Sequence, residues 1–143
     1  MRKAVIGVAV VAVSLVAVFA ASATTTATTK LEATLNGKSE GAPKTNTGKV
    51  EVRLNAATGK VCWDFTLAKI DGKPNQAHIH KGKAGVAGNV VVPLGATYKR
   101  QGCTSAAKSL VKAILKSPGS YYVNVHNAKH PAGAMRGQLA RGA

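Results

Sequence analysis

The stretch of sequence that decides the fold spans residues 76–94 and is QAHIHKGKAGVAGNVVVPL. Polar and apolar side chains alternate over residues 77–80, and this alternation predicts a β-strand because successive side chains of a strand point to opposite faces. Ile79 then faces one side, and His78 and His80 face the other. Glycines suited to unusual backbone angles follow, and then a β-branched valine run that predicts the next strand. Two imidazoles on the same face of a strand can contact one small ligand.

Similar alternating segments occur on both sides of this stretch. They predict further strands over residues 31–35, 50–54, 61–67, 121–126 and 135–139. Apolar residues at helical spacing between Ser105 and Pro118 predict one short helix, with Ser105 as its N-cap. Roughly six or seven short strands with turn residues between them, and one helix, predict an all-β fold built as an antiparallel β-sandwich.

The first residues predict export. A basic start, an apolar run and small residues before an A-x-A cleavage site make residues 1–23 a secretory signal peptide. Residues 24–30, almost all Thr and Ala, predict a flexible leader, and residues 31–143 the folded domain. The mature protein is then secreted and has no transmembrane span. Retention of the apolar run as a membrane anchor is the alternative.

The chain has two cysteines, Cys62 and Cys103. An even number of cysteines in an exported chain argues for one disulfide, because exported proteins mature in an oxidising compartment. Two free thiols, or a metal site that uses both, are the alternatives. The wide separation of the two residues excludes a C-x-x-C redox motif.

The charge is strongly positive and unevenly distributed. The chain has 20 Lys and Arg against 5 Asp and Glu, a formal net charge of +15, and all the acids precede residue 72. A basic secreted protein is attracted to anionic cell-envelope or extracellular polymers. The alternative is that the charge serves solubility. The lysines are scattered and aromatic residues make up only 4% of the chain, so the sequence predicts no specific nucleic-acid partner.

A second pair of segments follows the first stretch along the chain. Residues 121–126 are YYVNVH, and residues 133–139 are GAMRGQL. Together with residues 77–94 and the cysteines at positions 62 and 103, these segments resemble the paired signatures of the CHRD domain, a family named for its occurrence in chordin.

The resemblance covers residues 31–139. One departure is residues 81–84, KGKA, where the family usually has a Gly-Pro-Ala turn, so the turn is more basic here. The resemblance implies a β-sandwich similar to the copper/zinc superoxide dismutase architecture, and it does not imply an enzyme. In chordin the domain belongs to an extracellular protein that binds growth factors. That activity is not carried over to a short, basic, single-domain chain, because a fold does not carry a function.

All four histidines, His78, His80, His126 and His130, lie in or beside these segments. If the segments form neighbouring strands, three or four imidazoles meet, and neutral imidazole is a good ligand for copper and zinc. The His-x-His spacing resembles that of the copper-binding strand of superoxide dismutases. The alternative is a metal-free cluster whose rings donate hydrogen bonds to backbone carbonyls or asparagine side chains.

Three basic residues are candidates for binding an anion. Lys81 and Lys83 lie in the basic turn, and Arg136 resembles in position the arginine that guides superoxide in the dismutases. These residues are the predicted contacts for an anionic partner.

No catalytic residues are assigned. The chain has no G-x-S-x-G motif, and no acid follows residue 71 to complete a two-metal site. The sequence therefore favours a secreted binding module without enzymatic activity. The alternative function is a copper- or zinc-binding protein with the four histidines as ligands, and superoxide dismutase-like activity is a less favoured extension of it.

Overall fold

The computed structural model describes residues 27–142, so the predicted signal peptide and the start of the predicted leader lie outside the described residues. Within this range the chain forms nine β-strands and one α-helix. The strands are β1 (Thr29–Asn36), β2 (Thr47–Asn55), β3 (Lys60–Lys69), β4 (Pro74–Lys81), β5 (Val90–Pro93), β6 (Gln101–Ser105), β7 (Tyr121–Asn127), β8 (Met135–Gln138) and β9 (Ala140–Arg141). The helix α1 is Lys108–Lys116, and short 3-10 helices lie at Lys38–Glu40 and Pro118–Ser120. Over residues 27–142, no helix has the length and apolar character needed to cross a membrane.

The strands belong to one antiparallel sheet. Eight of them follow one another in the order β5-β4-β7-β8-β1-β2-β3-β6, and β9 pairs with β1. A single segment connects the two edges of this sheet. The Leu94 N–H donates to the Ala77 carbonyl of β4, and further along the same segment the Arg100 carbonyl accepts from the Phe65 N–H of β3. The sheet is therefore nearly closed into a barrel.

The inside of the barrel is apolar because strand alternation sends every second side chain inward. Nine inward residues of β1, β2 and β3 are buried: Leu31, Ala33, Leu35, Val50, Val52, Leu54, Val61, Trp63 and Phe65. The helix α1 adds Val111 and Ile114 to the same core. Burial of each large apolar side chain contributes about 1.5–3 kcal/mol, so this core is the main stabilising element.

The predicted all-β, antiparallel fold with one short helix is confirmed. The predicted two-sheet sandwich is corrected to a single, nearly closed sheet, because the segment between β5 and β6 joins edges that a sandwich leaves apart. β1 begins at Thr29 and so includes the last two residues of the predicted leader. Ser105 as the helix N-cap is wrong. Ser105 pairs with Lys60 in the β3–β6 ladder, and α1 follows Ala107 without a side-chain cap.

Cys62 and Cys103 form the predicted disulfide. The two residues are opposite each other in the β3–β6 ladder, with their Cα atoms 4.0 Å apart. The bond therefore fastens the edge strand β6 to its neighbour.

Replacement of both cysteines, Cys62→Ser with Cys103→Ser, should lower the free energy of unfolding by about 4 kcal/mol. The physical reason is that a crosslink between residues separated by 41 positions restricts the unfolded chain. Urea unfolding of the wild type and the double variant measures the difference. A loss of less than about 1 kcal/mol would contradict the expectation.

Candidate metal centre

Three of the four histidines lie on the outer face of the sheet, where β4 and β7 pair. Ile79 is opposite Val123 in this ladder, and both side chains are buried in the core. Because strand side chains alternate, His78, His80 and His126 point to the other, outer face. The expectation that the two histidine-bearing segments become neighbouring strands is confirmed.

This outer face carries polar side chains, and it is buried because two loops cover it. The glycine loop (residues 82–89) and the proline loop (residues 128–134) turn backbone carbonyls toward the side chains of the strands beneath them. All 7 residues of β7 are buried in consequence. His80 and His126 are only 8% and 9% exposed, whereas His78 is half-buried.

The three imidazole rings form a compact cluster. Nδ1 of His78 is 3.2 Å from Nε2 of His126. The ring centroid of His80 lies 5.7 Å from that of His78 and 5.9 Å from that of His126. One ring nitrogen from each residue lies within 4.8 Å of those of the other two, which is close enough for the three to ligate one ion.

Backbone carbonyls fix the orientation of two of these rings. Nδ1 of His80 is 2.9 Å from the Gly88 carbonyl oxygen, and Nδ1 of His126 is 3.0 Å from the Pro131 carbonyl oxygen. A carbonyl oxygen only accepts, so both Nδ1 atoms carry the proton and donate it. In each neutral ring Nε2 then keeps its lone pair. Nε2 of His126 accepts from His78, and Nε2 of His80 is buried without a hydrogen-bond partner.

The surroundings favour the neutral form of His78 and of His80. Burial lowers the pKa of His78, and the neighbouring rings of His126 and His80 lower it further. Burial also lowers the pKa of His80, and the neighbouring His126 ring and Arg136 guanidinium add to this effect, while the hydrogen bond to Gly88 opposes it. Neutral imidazole is the form that ligates a metal ion.

A column of side chains supports His80. The Tyr122 ring stacks on the His80 ring with 4.9 Å between centroids and 12° between planes, and the Arg136 guanidinium lies 4.6 Å from the Tyr122 centroid. Nε of Arg136 is 3.0 Å from Oε1 of Glu40, and both side chains are largely buried. Burial raises the pKa of Glu40, and the Arg136 charge acts in the opposite direction. The alternation of β7 places Tyr122 on the face of His126, but no sequence signal brings Glu40 to this site.

His130 lies apart from the cluster. Its Nε2 is 3.5 Å from Oδ2 of Asp71, and the same carboxylate accepts from Nζ of Lys129 at 2.6 Å. Over residues 27–142, the group that brings three metal-ligating side chains together consists of the other three histidines. The residue predicted as a fourth ligand thus faces a carboxylate instead.

The sequence model of the CHRD domain matches residues 31–139, which is most of the described chain. The chain belongs to the CHRD-domain family. The resemblance carried by the two pairs of segments is therefore confirmed. No curated protein and no solved structure matches the chain. The likeness to the superoxide dismutase architecture accordingly stays a prediction.

The three residues predicted to bind an anion have different surroundings in this CHRD domain. Lys81, the last residue of β4, and Lys83, in the glycine loop, are both exposed. Arg136 is only 7% exposed, and its guanidinium contacts Glu40 and the Val86 carbonyl oxygen. Since Arg136 already has a carboxylate partner, the geometry does not support one anion site made by all three residues.

The free energy of unfolding of the metal-free CHRD domain should decrease as the pH falls below about 6.5. The pKa of His78 and of His80 is lowered in the folded chain, so the unfolded chain takes up protons that the folded chain does not. The stabilising contribution is therefore complete above the ordinary pKa and is lost as the pH falls through the lowered values. Urea unfolding between about pH 5.5 and 8, with a chelator present, measures the slope. His78→Gln should flatten it, and equal slopes in both proteins would refute the expectation.

Proposed function

We propose that this chain is an exported CHRD-domain protein that binds one copper or zinc ion through His78, His80 and His126. It acts as a binding module of the cell envelope or the extracellular space. The export part of the proposal is supported by the predicted signal peptide, residues 1–23. The metal part is supported by the geometry of the histidine cluster.

The orientation of His80 is the observation that carries the metal proposal. Its Nδ1 is held by the Gly88 carbonyl, and its Nε2 is buried without a partner. An unsatisfied buried polar atom costs about 1–3 kcal/mol, and a metal ion at the cluster centre would satisfy it. His126 is held in the same way by Pro131. Metal-ligating histidines commonly donate their other ring N–H to a backbone carbonyl, which fixes the tautomer and the ring orientation.

A metal-free hydrogen-bonded cluster is the competing arrangement. It accounts for the contact between His78 and His126 and for the two carbonyl partners. It leaves Nε2 of His80 unsatisfied in a buried position. The metal site therefore accounts for more of the observed geometry.

The spacing of the ring nitrogens fits a small ion. Nitrogens bound at about 2.0–2.1 Å from a tetrahedral ion lie about 3.3–3.4 Å from one another. The His78–His126 pair is at 3.2 Å, and all three nitrogens lie within 4.8 Å. Because His78 is only half-buried, a rotation of its ring can close the remaining gap.

Metal binding would require one proton rearrangement. Nδ1 of His126 donates to a carbonyl, so its Nε2 accepts, and Nδ1 of His78 carries the shared proton in the metal-free cluster. For His78 to ligate through Nδ1, that proton leaves and Nε2 of the same ring becomes the protonated nitrogen. The half-exposed ring of His78 gives water access for this exchange.

The donor set favours copper or zinc. Within residues 27–142 the cluster offers three imidazoles, and both cysteines are consumed by the disulfide. Imidazole ligands suit copper and zinc, whereas magnesium and calcium prefer oxygen ligands.

The proposed function is metal binding and does not include catalysis. Dismutase-like turnover would further require a coordination position open to substrate, and an assay of superoxide removal by the copper-loaded protein tests that separate prediction.

Protein purified without a histidine tag should retain about one equivalent of copper or zinc after the metal is offered and the excess dialysed away. His80→Gln should weaken binding about a hundredfold, because roughly 10–16 kcal/mol is shared by four ligands in structural zinc sites. Elemental analysis gives the stoichiometry, and competition titration with a chelator gives the affinity.

His130→Gln is the matched control, since it removes an imidazole that faces Asp71 and not the cluster. This variant should bind the metal with wild-type affinity. The proposal fails if the wild type retains far less than one equivalent, or if the His80 and His130 variants lose affinity equally.

Gly88 provides a test that leaves all three ligands in place. A Cβ atom at this position would clash with the Lys81 carbonyl oxygen, so the glycine loop must move and withdraw the carbonyl that orients His80. Gly88→Ala should weaken metal binding about 10–100-fold, the usual effect of losing a partner that orients a ligating histidine. A Cβ at Gly119 meets nothing within 4 Å, so Gly119→Ala is the control. Chelator competition measures both variants, and unchanged affinity in Gly88→Ala would contradict this role.

A further inference from the structure

The exposed face of α1 carries a row of lysines. Lys108, Lys112 and Lys116 are exposed, whereas Val111 and Ile114 on the opposite face are buried in the core. Residues four apart share a helix face, and a rise of about 1.5 Å per residue spaces these lysines about 6 Å apart along the axis. We call this row the lysine ridge.

The lysine ridge weakens the helix that carries it. Like charges four residues apart repel each other, and Lys108 places a positive charge beside the positive end of the helix dipole. The first turn has no acidic residue, and Ala107 supplies no side-chain cap. Of the three lysines, only Lys116, in the last turn, interacts favourably with the helix dipole. Residues that break local rules without a structural gain are expected at functional surfaces.

The lysine ridge also has no acidic partner. Each acidic side chain of the described chain pairs with another cation: Glu32 with Lys30, Glu51 with Lys30 and Arg53, Asp64 with Arg100, Asp71 with Lys129, and Glu40 with Arg136. None of the ion pairs within residues 27–142 reaches α1. The positive charge of the ridge therefore faces solvent without compensation.

We propose that the lysine ridge binds a linear polymer of phosphodiesters, of the kind represented by poly(glycerol phosphate). Lysine contacts a phosphate as a compact point charge with no fixed orientation. Three lysines at regular spacing match a flexible chain with regularly repeated negative charges. This surface is separate from the histidine cluster, and binding to it requires no metal.

Two other anionic partners fit the ridge less well. The large apolar side chains that are exposed in the described chain, Val86 and Val90, lie at the glycine loop, so the ridge has no exposed apolar group to insert into a lipid surface. The helix also has no aromatic side chain on which a nucleic-acid base could stack.

The test compares two triple variants of the whole protein that have the same net charge. The ridge variant is Lys108→Gln with Lys112→Gln and Lys116→Gln. The scattered variant is Lys44→Gln with Lys73→Gln and Lys99→Gln, which changes exposed lysines on three separate segments. Titration calorimetry with poly(glycerol phosphate) measures the affinity of each protein.

The wild type and the scattered variant should each lose about tenfold or more in affinity between about 50 and 200 mM salt, because three phosphate contacts give a log–log slope near −2. The ridge variant should bind at least about tenfold more weakly at the lower salt concentration, with little salt dependence left. Equal losses in the two triple variants would show that total charge attracts the polymer, and this result would overturn the proposal.

Two further measurements distinguish binding at the ridge from a folding defect and from attraction to any polyanion. The thermal midpoint of the ridge variant should equal or exceed that of the wild type, because the repulsion along α1 is removed. A triple Lys→Arg variant at the same positions keeps the charge and should bind the polymer like the wild type. Loss of binding in the arginine variant, or tighter binding of the wild type to anionic vesicles or single-stranded DNA than to poly(glycerol phosphate), would overturn the proposal.

Discussion

The outer face of the β4–β7 ladder has to be polar and buried at the same time, and much of the structure depends on this constraint. Polar side chains withdrawn from water need hydrogen-bond partners, and the glycine and proline loops supply them as backbone carbonyls. The glycine loop can lie close enough because Gly88 has no Cβ to meet the Lys81 carbonyl. Once the loops are in place, the hydrogen bonds to Gly88 and Pro131 fix the orientation of the His80 and His126 imidazoles.

The column from Glu40 through Arg136 and Tyr122 to His80 has an electrostatic consequence. An isolated guanidinium near the cluster would oppose the arrival of a cation, and an isolated buried carboxylate would be costly. As a pair, Glu40 and Arg136 partly cancel each other's charge. The Tyr122 ring lies in contact with both His80 and Arg136, so the planes of His80 and Tyr122 are fixed together.

The sequence correctly predicts the features that follow from the alternation of side chains along each strand. The alternation of residues 77–80 and 121–126 correctly places His78, His80 and His126 on one face, and the even number of cysteines correctly predicts the disulfide. Closure of the sheet depends on contacts between residues that are distant in the sequence. Side-chain alternation within each strand does not predict such contacts, so alternation alone favours a sandwich. The prediction for Ser105 fails for the same reason, since pairing with β3 overrides its preference for a helix cap. His130 lies in a loop, where strand alternation gives no direction for the side chain.

The pairing of β9 with β1 has a consequence for how this domain combines with other polypeptide. Leu31, near the start of the barrel, is directly opposite Arg141, near its end. The first and last strands of the folded unit are therefore adjacent, and the polypeptide enters and leaves the domain at neighbouring positions. Such an arrangement lets a domain be inserted into a surface turn of a host protein without forcing the host's two connection points apart.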